Sequence, residues 1–547
     1  MHRFLHVELG MGELEAAVVS IRPAGEGDIR AIQQLFQVCY GERYSHPEFV
    51  SEAYLRKMIY SDNSLALVAE APSGDIVATA SVVIDVGAYS DLVGEFGRLV
   101  VHPKSRGRHI GHRLMTERIK HVAPYLHIGF ADNRLAHTRS QQISLAHGFA
   151  PVGFLPIHNG ESVALFVRHF GDALKLRRNH PRVAPQVYGL AQRALRASGL
   201  EADAIVDEMS PPYGLDESFE IEEMNARGYA TLLRFERGRV KNPEIFSRAR
   251  LHFGLRTLES HNTSYLLARR HGQLVGAVGY AHDARLDHAV RIFELVAADE
   301  DPIRFLLKEL MRRSREEWRV DYVEVDVNAH APRMQKTVLE LGFVPVAYLP
   351  ASVFHHVERL DTVRMQRFYV PVSTEGLLLT DEAKPVFEMV LRNLNTRAIQ
   401  PKLVQLLPAT RLGKHLNREQ VARLSTLFET VTFDDGETIL EAGKRDARLY
   451  ILLSGTARVY SGDPPEEVGA VSEGELLGEV SLLRKTPHTA TAIAEGVVEA
   501  AAVRHSDLNA LLQQRTDIGV VLFRNLATGL SSKLSRTDAF LSIKPWE

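Results

Sequence analysis

A basic, glycine-containing turn gives the N-terminal half its most explicit chemistry. Arg106-Gly107-Arg108-His109-Ile110-Gly111 follows an apolar run (Phe96, Leu99, Val100, Val101) that stops at Pro103, a residue without the N–H needed to continue a ladder. Past the turn the apolar period changes from two to about 3.6. Ile110, Leu114 and Ile119 then share roughly one face, so a helix starts inside the turn. Converging backbone N–H groups, the positive end of a helix dipole and glycines that admit close approach together suit a phosphate. The alternative is an ordinary basic strand-to-helix turn.

The elements that hold this turn belong to a long chain of average composition. Its 547 residues suffice for roughly three or four domains. Apolar content of 45% and charged content of 24% are those of a soluble protein. A net charge of −3 and a pI near 6.8 give no overall pull toward nucleic acid or an anionic membrane. Cys39 is the only cysteine, which excludes a disulfide framework and a thiolate metal cluster. No uncharged apolar run reaches the roughly 18 residues of a membrane span, and the first residues lack a signal pattern. The expectation is a soluble, cytoplasmic protein.

Around the turn, residues 19–23 predict a strand, and Ile29, Ile32, Leu35, Phe36 and Cys39 predict a helix capped by Asp28. Leu65–Ala71 and Ile76–Ile84 form a hairpin about Pro72-Ser73-Gly74-Asp75. A strand at Leu126–Ala131, Asn133, and a helix ending at His147-Gly148-Phe149 follow. The order V-x-P-x-x-R-G-x-x-I-G, with the opening IRPA…D and the later T-x-S-Q…G-F, resembles the GNAT acyltransferases over residues 19–170. The resemblance implies that the turn seats the pyrophosphate of acyl-coenzyme A, with Arg106, Gly107, Arg108, His109, Ile110, Gly111 and Asn133 as cofactor contacts. His109 stands where the family has a glycine; its side chain either crowds the pyrophosphate or tilts outward. Acylation of an amine needs a base and an oxyanion donor. The resemblance points to Glu95 as base, against a solvent-facing strand Glu, and to a backbone N–H among Leu99, Val100 and Val101 as donor. The family's acidic tyrosine is replaced by Ser144, so the acid stays unassigned.

Gly148–Pro156 (GFAPVGFLP) returns 194 residues later as Gly342–Pro350 (GFVPVAYLP), identical at six of nine positions. Strand, Asn328 and a helix carrying Met334, Val338 and Leu341 precede the second copy as in the first. The basic turn does not return: Ala298-Asp299-Glu300-Asp301-Pro302 stands in its place and would repel a pyrophosphate. This implies a degenerate second GNAT-like domain that shapes acceptor binding to the first.

From Val431 short strands alternate with glycine turns, which predicts a β-roll. Phe433-x-x-Gly436-Glu437-x-Ile439 and Leu449-Tyr450-Ile451-Leu452-x-Ser454-Gly455 resemble the cyclic-nucleotide-binding domain. The resemblance makes Gly474–Thr491 the phosphate cassette, with Gly478, Glu479, Val480, Ser481, His488 and Thr489 as nucleotide contacts. His488 replaces the family's arginine, a loss of about 2–3 kcal/mol for a charge-assisted contact; Arg484 and Lys485 lie close by in sequence to compensate. Helical spacing runs from Leu508 to Leu534, where the resemblance implies the family's lid and dimer helix, and no helix-turn-helix follows.

The fold class expected is α/β plus β: two GNAT-type mixed αβ domains, then a double-stranded β-helix (jelly-roll-like) domain with flanking helices. The boundaries are 18–170, a helical linker 171–215, 216–372, a helical linker 373–415, and 416–541. The reading is an acyl-CoA-dependent N-acyltransferase using acetyl-CoA or another acyl-CoA, with cAMP or cGMP as effector and no metal. The acceptor is a small amine or a protein lysine. Neither nucleic acid nor membrane is a partner, and a homodimer forms through the C-terminal helix. The alternative is a non-catalytic scaffold or sensor with degenerate sites.

Overall fold

The computed structural model describes residues 19–41, 49, 51–84, 92–158, 160–216, 218–224, 243–246, 263–283, 288–425, 427–444, 446–484 and 486–543, so Lys485 lies outside the described residues. The chain divides into two units, Met1–Val390 and Leu391–Glu547.

The first unit begins with β1 (Ser20–Pro23), α1 (Ile29–Tyr40), α2 (Glu52–Ile59), β2 (Ser64–Glu70), β3 (Ile76–Ile84) and β4 (Val93–Val101). Then come α3 (Ile110–Val122), β5 (Ile128–Arg134), α4 (Arg139–Ala146), β6 (Ala150–His158) and β7 (Glu161–His169). Helix α1 forms where the spacing requires, with Ile29, Ile32, Leu35 and Phe36 buried. Asp28 does not cap it through its side chain. Instead that carboxylate accepts from Gly25 N–H at 2.8 Å and is gripped by both Arg22 terminal nitrogens at 2.7 and 2.9 Å.

A connecting segment of β8 (Arg182–Val183), α5 (Pro185–Ala197) and β9 (Ile205–Val206) leads into β10 (Glu220–Met224), β11 (Ile245–Phe246), β12 (Thr263–Arg270), β13 (Gln273–Asp283) and β14 (Ala289–Ala297). The unit then continues through α6 (Asp301–Glu316), β15 (Tyr322–Asn328), α7 (Pro332–Glu340), β16 (Val344–His355) and β17 (Glu358–Phe368). One sheet joins all of these strands except β8 and β9, which pair with each other, in the order β1-β2-β3-β4-β5-β7-β6-β16-β17-β15-β14-β13-β12-β10, with β11 paired to β15. Read from either edge the order is the same: outer strand, hairpin, central strand, parallel neighbour, then the last two strands exchanged. The pairs β4–β5 and β14–β15 are the parallel ones.

The halves meet at one register pair, Gly153 with Ala347, which are equivalent positions of the GFxPVxxLP repeat. A Cβ on Gly153 would lie 2.3 Å from that of Ala347, so two strands approach here that only a glycine admits. The segment 171–215 is more than a linker. Val187, Leu190, Ala191 and Ala194 of α5 are buried against β6 and β16. Arg177 is buried between Asp361 at 2.7 Å and Asp203 at 2.9 Å, binding the segment to β17. Burial alone would lower its guanidinium, but the two carboxylates outweigh burial and raise it.

Helix α8 (Lys384–Leu406) leaves the first unit. The second unit holds α9 (Arg418–Ser425) and the roll strands β18 (Glu429–Phe433), β19 (Thr438–Leu440), β20 (Arg448–Ser461), β21 (Glu466–Val471), β22 (Leu476–Leu477) and β23 (Thr491–Arg504). Helix α10 (Glu479–Arg484) precedes β23, and α11 (His505–Gln514) and α12 (Thr516–Ile543) follow it. The sheet order is β18-β23-β20-β21. Gly455 does not separate two strands. It sits at φ +86° within the irregular register of a continuous β20, where a Cβ would meet Val497 O at 2.7 Å.

Candidate functional site

In the first half β4 pairs with β5 only over Val93–Glu95 and then turns away. The cause is a bulge: the register against β3 shifts between Thr79 and Ser81, and Arg98 opposite adopts φ +56°. Among the described residues no strand occupies the gap between Phe96–Val101 and the upper part of β5. Backbone groups along such a gap are open to an extended ligand with amides of its own.

The basic turn closes the far end of β4. A 3₁₀ turn at Pro103–Ser105 leads to Gly107 at φ +82° and His109 at φ +55°, the residue preceding α3. A left-handed residue is needed at 109, where glycine would be free of strain, and histidine tolerates it better than most side chains. The His109 ring is exposed and turned along the helix, 5.8 Å from His112, which lies 5.5 Å from His147. Burial first, then His147 and His109, holds the His112 imidazole below its ordinary range. Gly111 has a packing duty: a Cβ there would meet Ile143 at 2.8 Å. Arg106 is exposed and donates to Val101 O at 3.3 Å, beside Cys39, whose thiol burial pushes up against the opposing pull of Arg106.

Glu95 is half-buried and ion-paired with Arg98 at 2.9 Å, and Arg98 lies over the Phe49 ring. Asn133 corrects the cofactor-contact expectation. It is 4% exposed, accepts from the buried Ser144 hydroxyl at 3.2 Å and donates to Ala131 O, so it ties β5 to α4 instead of lining the gap. Ser144 is thereby engaged inside the fold.

In the second half the same gap is filled. β14 and β15 pair over Ala289–Ile292 and then separate after a bulge opposite Gly279 and Tyr280. β17 holds one edge of β15, so β11 takes the other, with Ile245 against Val327 and Phe246 against Asp326. Asn328 fastens it by donating to Glu244 O at 2.8 Å and Pro243 O at 3.2 Å. The start of α6 carries its own anions. Asp301 pairs with Arg270 at 3.1 Å and Glu300 with Arg333 at 2.6 Å.

In the roll, Gly478 at φ +90° passes Arg448 O so closely that a Cβ would lie 2.5 Å away. Glu479 and Ser481 are buried at the start of α10, Ser481 donating to Gly478 O at 2.8 Å; Val480 is half-buried and Thr489 exposed. His488 is 7% exposed, its backbone paired with Gly443 and Lys444, and its Nε2 has no partner among the described residues.

Residues 29–143 match the family model "Acetyltransferase (GNAT) family", and residues 430–515 match "Cyclic nucleotide-binding domain". The chain carries a GNAT domain and a cyclic-nucleotide-binding domain. Curated relatives include cyclic-nucleotide-dependent protein kinases and kinase regulatory subunits. A cGMP-dependent protein kinase of Plasmodium berghei is 29% identical over 36% of this chain and 21% of its own length. A cAMP-dependent protein kinase regulatory subunit of Mycosarcoma maydis is 29% identical over 30% of this chain and 31% of its own. The chain thus spans about a fifth to a third of these relatives. Among solved structures, the regulatory domain of Toxoplasma gondii PKA with cAMP is 17% identical, covering 33% of this chain and 60% of that one, at TM-score 0.23.

Two features of the GNAT domain escaped the sequence reading. Arg118 of α3 is 1% exposed beneath the β4 bulge and donates to Gly97 O at 3.0 Å and Ser81 O at 3.1 Å. With Phe96 against its face and no carboxylate bonded to it among the described residues, burial drives the guanidinium down to about 9. Its bond to the Gly97 carbonyl polarises the Gly97–Arg98 peptide, strengthening that N–H as a donor. The signal was present: Leu114, Arg118 and Val122 share the buried stripe of α3. The second feature is His158, whose Nε2 lies 3.5 Å from Asp132 Oδ2. The two are 26 residues apart and only the β5–β7–β6 arrangement joins them. Among the described residues no helix is long and apolar enough to cross a membrane, and no group of three metal-ligating side chains forms.

Proposed function

We propose that the protein is an acyl-CoA-dependent N-acyltransferase whose single acyl-CoA seat is in the first half and whose cyclic-nucleotide-binding domain regulates it. The observation that carries this is the open β4–β5 gap ending in the Arg106–Gly111 turn, within the segment that matches the GNAT family. The acyl arm lies along Leu99–Val101, the pyrophosphate sits against Gly107, Arg108 and the first N–H groups of α3, and Arg106 supplies charge. His109 leaves the seat open by turning toward His112. The thioester oxygen takes backbone N–H donation at the Arg118-braced bulge.

Residues 216–372 are, in this proposal, a degenerate second copy of the same fold; the mirrored strand order and equivalent bulges support that reading. β11 and the Asp299–Asp301 cap leave it no seat for coenzyme. Regulation by cAMP or cGMP is supported by the match of residues 430–515 to the cyclic nucleotide-binding domain, and the segment that follows the sheet is fastened to the first half. Gln141 of α4 donates to Leu378 O at 2.8 Å and accepts from Thr380 N–H at 3.0 Å, and Phe387 packs on Phe154. The acceptor is an amine, free or on a protein lysine. Val520 and Phe523, exposed on α12, are the proposed dimer surface. Thiol release from acetyl-CoA in the presence of amines, with and without saturating cAMP or cGMP, tests the reading. Calorimetry showing no acetyl-CoA binding below millimolar concentration would leave only a scaffold, and nucleotide-independent turnover would remove regulation.

A further inference from the structure

We infer that His158, oriented by Asp132 and set among side chains of the second half, is the base that receives the acceptor's proton. This rests on the acyl-transfer reading above. Glu95 and Phe130 are register partners, so their side chains share a face of the sheet, and Asp132 stands two residues further along β5 on that face. Two residues are roughly 7 Å of strand, which places Asp132 beside the gap and beyond the point where β4 leaves. His158 at the end of β6 presents Nε2 to Asp132 Oδ2 at 3.5 Å, while its Nδ1 is buried with no partner among the described residues. A carboxylate that holds Nε2–H leaves Nδ1 as the basic nitrogen. Glu95, by contrast, is engaged with Arg98.

The second half completes the surroundings. Gln366 of β17 donates to Ile157 O at 3.3 Å, next to His158, and to Glu324 at 2.8 Å. Arg364 forks onto Asp326 at 2.7 and 2.8 Å and lies 3.6 Å from Glu324, with Arg291 3.9 Å away on the other side. The charged groups about His158 are Asp132 and Glu161 from the first half, the latter its register partner and held by Arg134, and Glu324 from the second, with Asp326 balanced by Arg364. Four carboxylates against the three guanidinium groups of Arg134, Arg364 and Arg291 favour a cationic acceptor, which fits an ammonium. This is a physical reason to keep a second copy that lacks a coenzyme seat.

One proton of the acceptor ammonium passes to Nδ1 through an intervening water, since that nitrogen is closed to direct contact, and the freed amine attacks the thioester carbonyl, forming C–N. The C–S bond breaks, the sulfur keeps the electron pair and takes the second nitrogen proton, and the imidazolium returns its proton to solvent. The products are the amide, free coenzyme thiol and one proton.

The test uses the full chain, acetyl-CoA, and spermidine or Nα-acetyl-lysine amide as probe amines. Acetyl-CoA affinity is measured first by calorimetry, which reads the coenzyme seat independently of the base. Wild type is expected to show kcat/KM rising with pH. His158→Gln should lower kcat/KM about hundredfold or more and lose that rise, with acetyl-CoA affinity kept. Asp132→Asn should lower it about tenfold and move the rise to lower pH, because the neighbouring negative charge is gone. Glu324→Gln should raise KM for the amine severalfold with kcat held. A pH rise that survives in His158→Gln but vanishes in Glu95→Gln overturns the assignment. Acetyl-CoA binding with no thiol release from either amine overturns the cationic-acceptor site while leaving the seat intact, whereas absent acetyl-CoA binding overturns both.

Discussion

The two halves of the sheet share an order, a parallel central pair and a bulge at equivalent places, yet their gaps differ in content. In the first, β4 parts from β5 and the turn beyond offers guanidinium groups and backbone N–H groups. In the second, β11 occupies the edge of β15, and Glu300 and Asp301 occupy the helix start. A fold that opens a gap must put something in it, because backbone donors and acceptors do not stay unpaired when buried. One half uses its own chain, and the proposed account gives the other a cofactor. The lesson is that the scaffold is common and the occupant is decided by a few residues at the gap.

Making the first half resemble the second should have the largest effect. Arg106→Asp with Arg108→Asp removes two charge-assisted phosphate partners and adds repulsion, a loss of roughly 3–6 kcal/mol in acetyl-CoA binding, measurable by calorimetry. Retained affinity would mean that the turn is not the seat. Next is the junction between halves. Asp361→Ala leaves the buried Arg177 with Asp203 as its only carboxylate and takes the acceptor from the Tyr348 O–H and the Ala351 N–H, and removing one partner of a buried pair costs about 3–5 kcal/mol. Thermal unfolding should fall accordingly, and an unchanged midpoint would show that the halves do not depend on this clamp.

Arg118→Met removes the brace from the bulge that only the first half exposes. Two buried carbonyls lose their donor, at about 1–3 kcal/mol each, offset in part by relief of an unpaired buried charge. The expected result is a kcat about tenfold to hundredfold lower with acetyl-CoA affinity kept; unchanged kcat would limit Arg118 to a structural duty.

Acid should touch both halves alike. Arg22 holds Asp28 below the carboxylate range, and Arg364, Arg291 and His158 do so for Glu324 against the upward pull of burial. Their folded values lie below the unfolded ones, so the stability they contribute is complete above about pH 5 and lost as pH falls through the folded values. Melting of the first unit should be level from pH 7 to about 5 and fall below about 4; a midpoint that rises on acidification would contradict this. The smallest change is His109→Gly. It relieves a left-handed residue, worth about 1 kcal/mol of stability, and with the ring already turned aside it should alter acetyl-CoA affinity less than about threefold. Much tighter binding would show that His109 crowds the seat.

Much of the scaffold was legible because it is written in local patterns. The period of α3, the hairpin about Ser73-Gly74 and the GFxPVxxLP repeat all led to the elements observed. In the roll the need for glycine at 478 was legible, and the geometry there demands its missing Cβ. What stayed hidden depends on long-range placement. Asn133 looks like a contact until Ser144 is seen against it, and β11 reaches β15 from some eighty residues earlier. Asp28 precedes a helix but answers to Arg22, and Gly455 looks like a turn yet sits inside a strand because β23 passes beside it. Asp132 and His158 carry no joint signal in sequence.

The central claim is that one half of the sheet holds acyl-CoA and the other cannot. Titrating acetyl-CoA into the full chain by calorimetry tests it most directly, because stoichiometry separates the halves where activity does not. The account predicts one site per chain, lost in Arg106→Asp with Arg108→Asp and kept in Glu300→Gln. Two sites per chain, or a single site that survives the double arginine substitution, would contradict it.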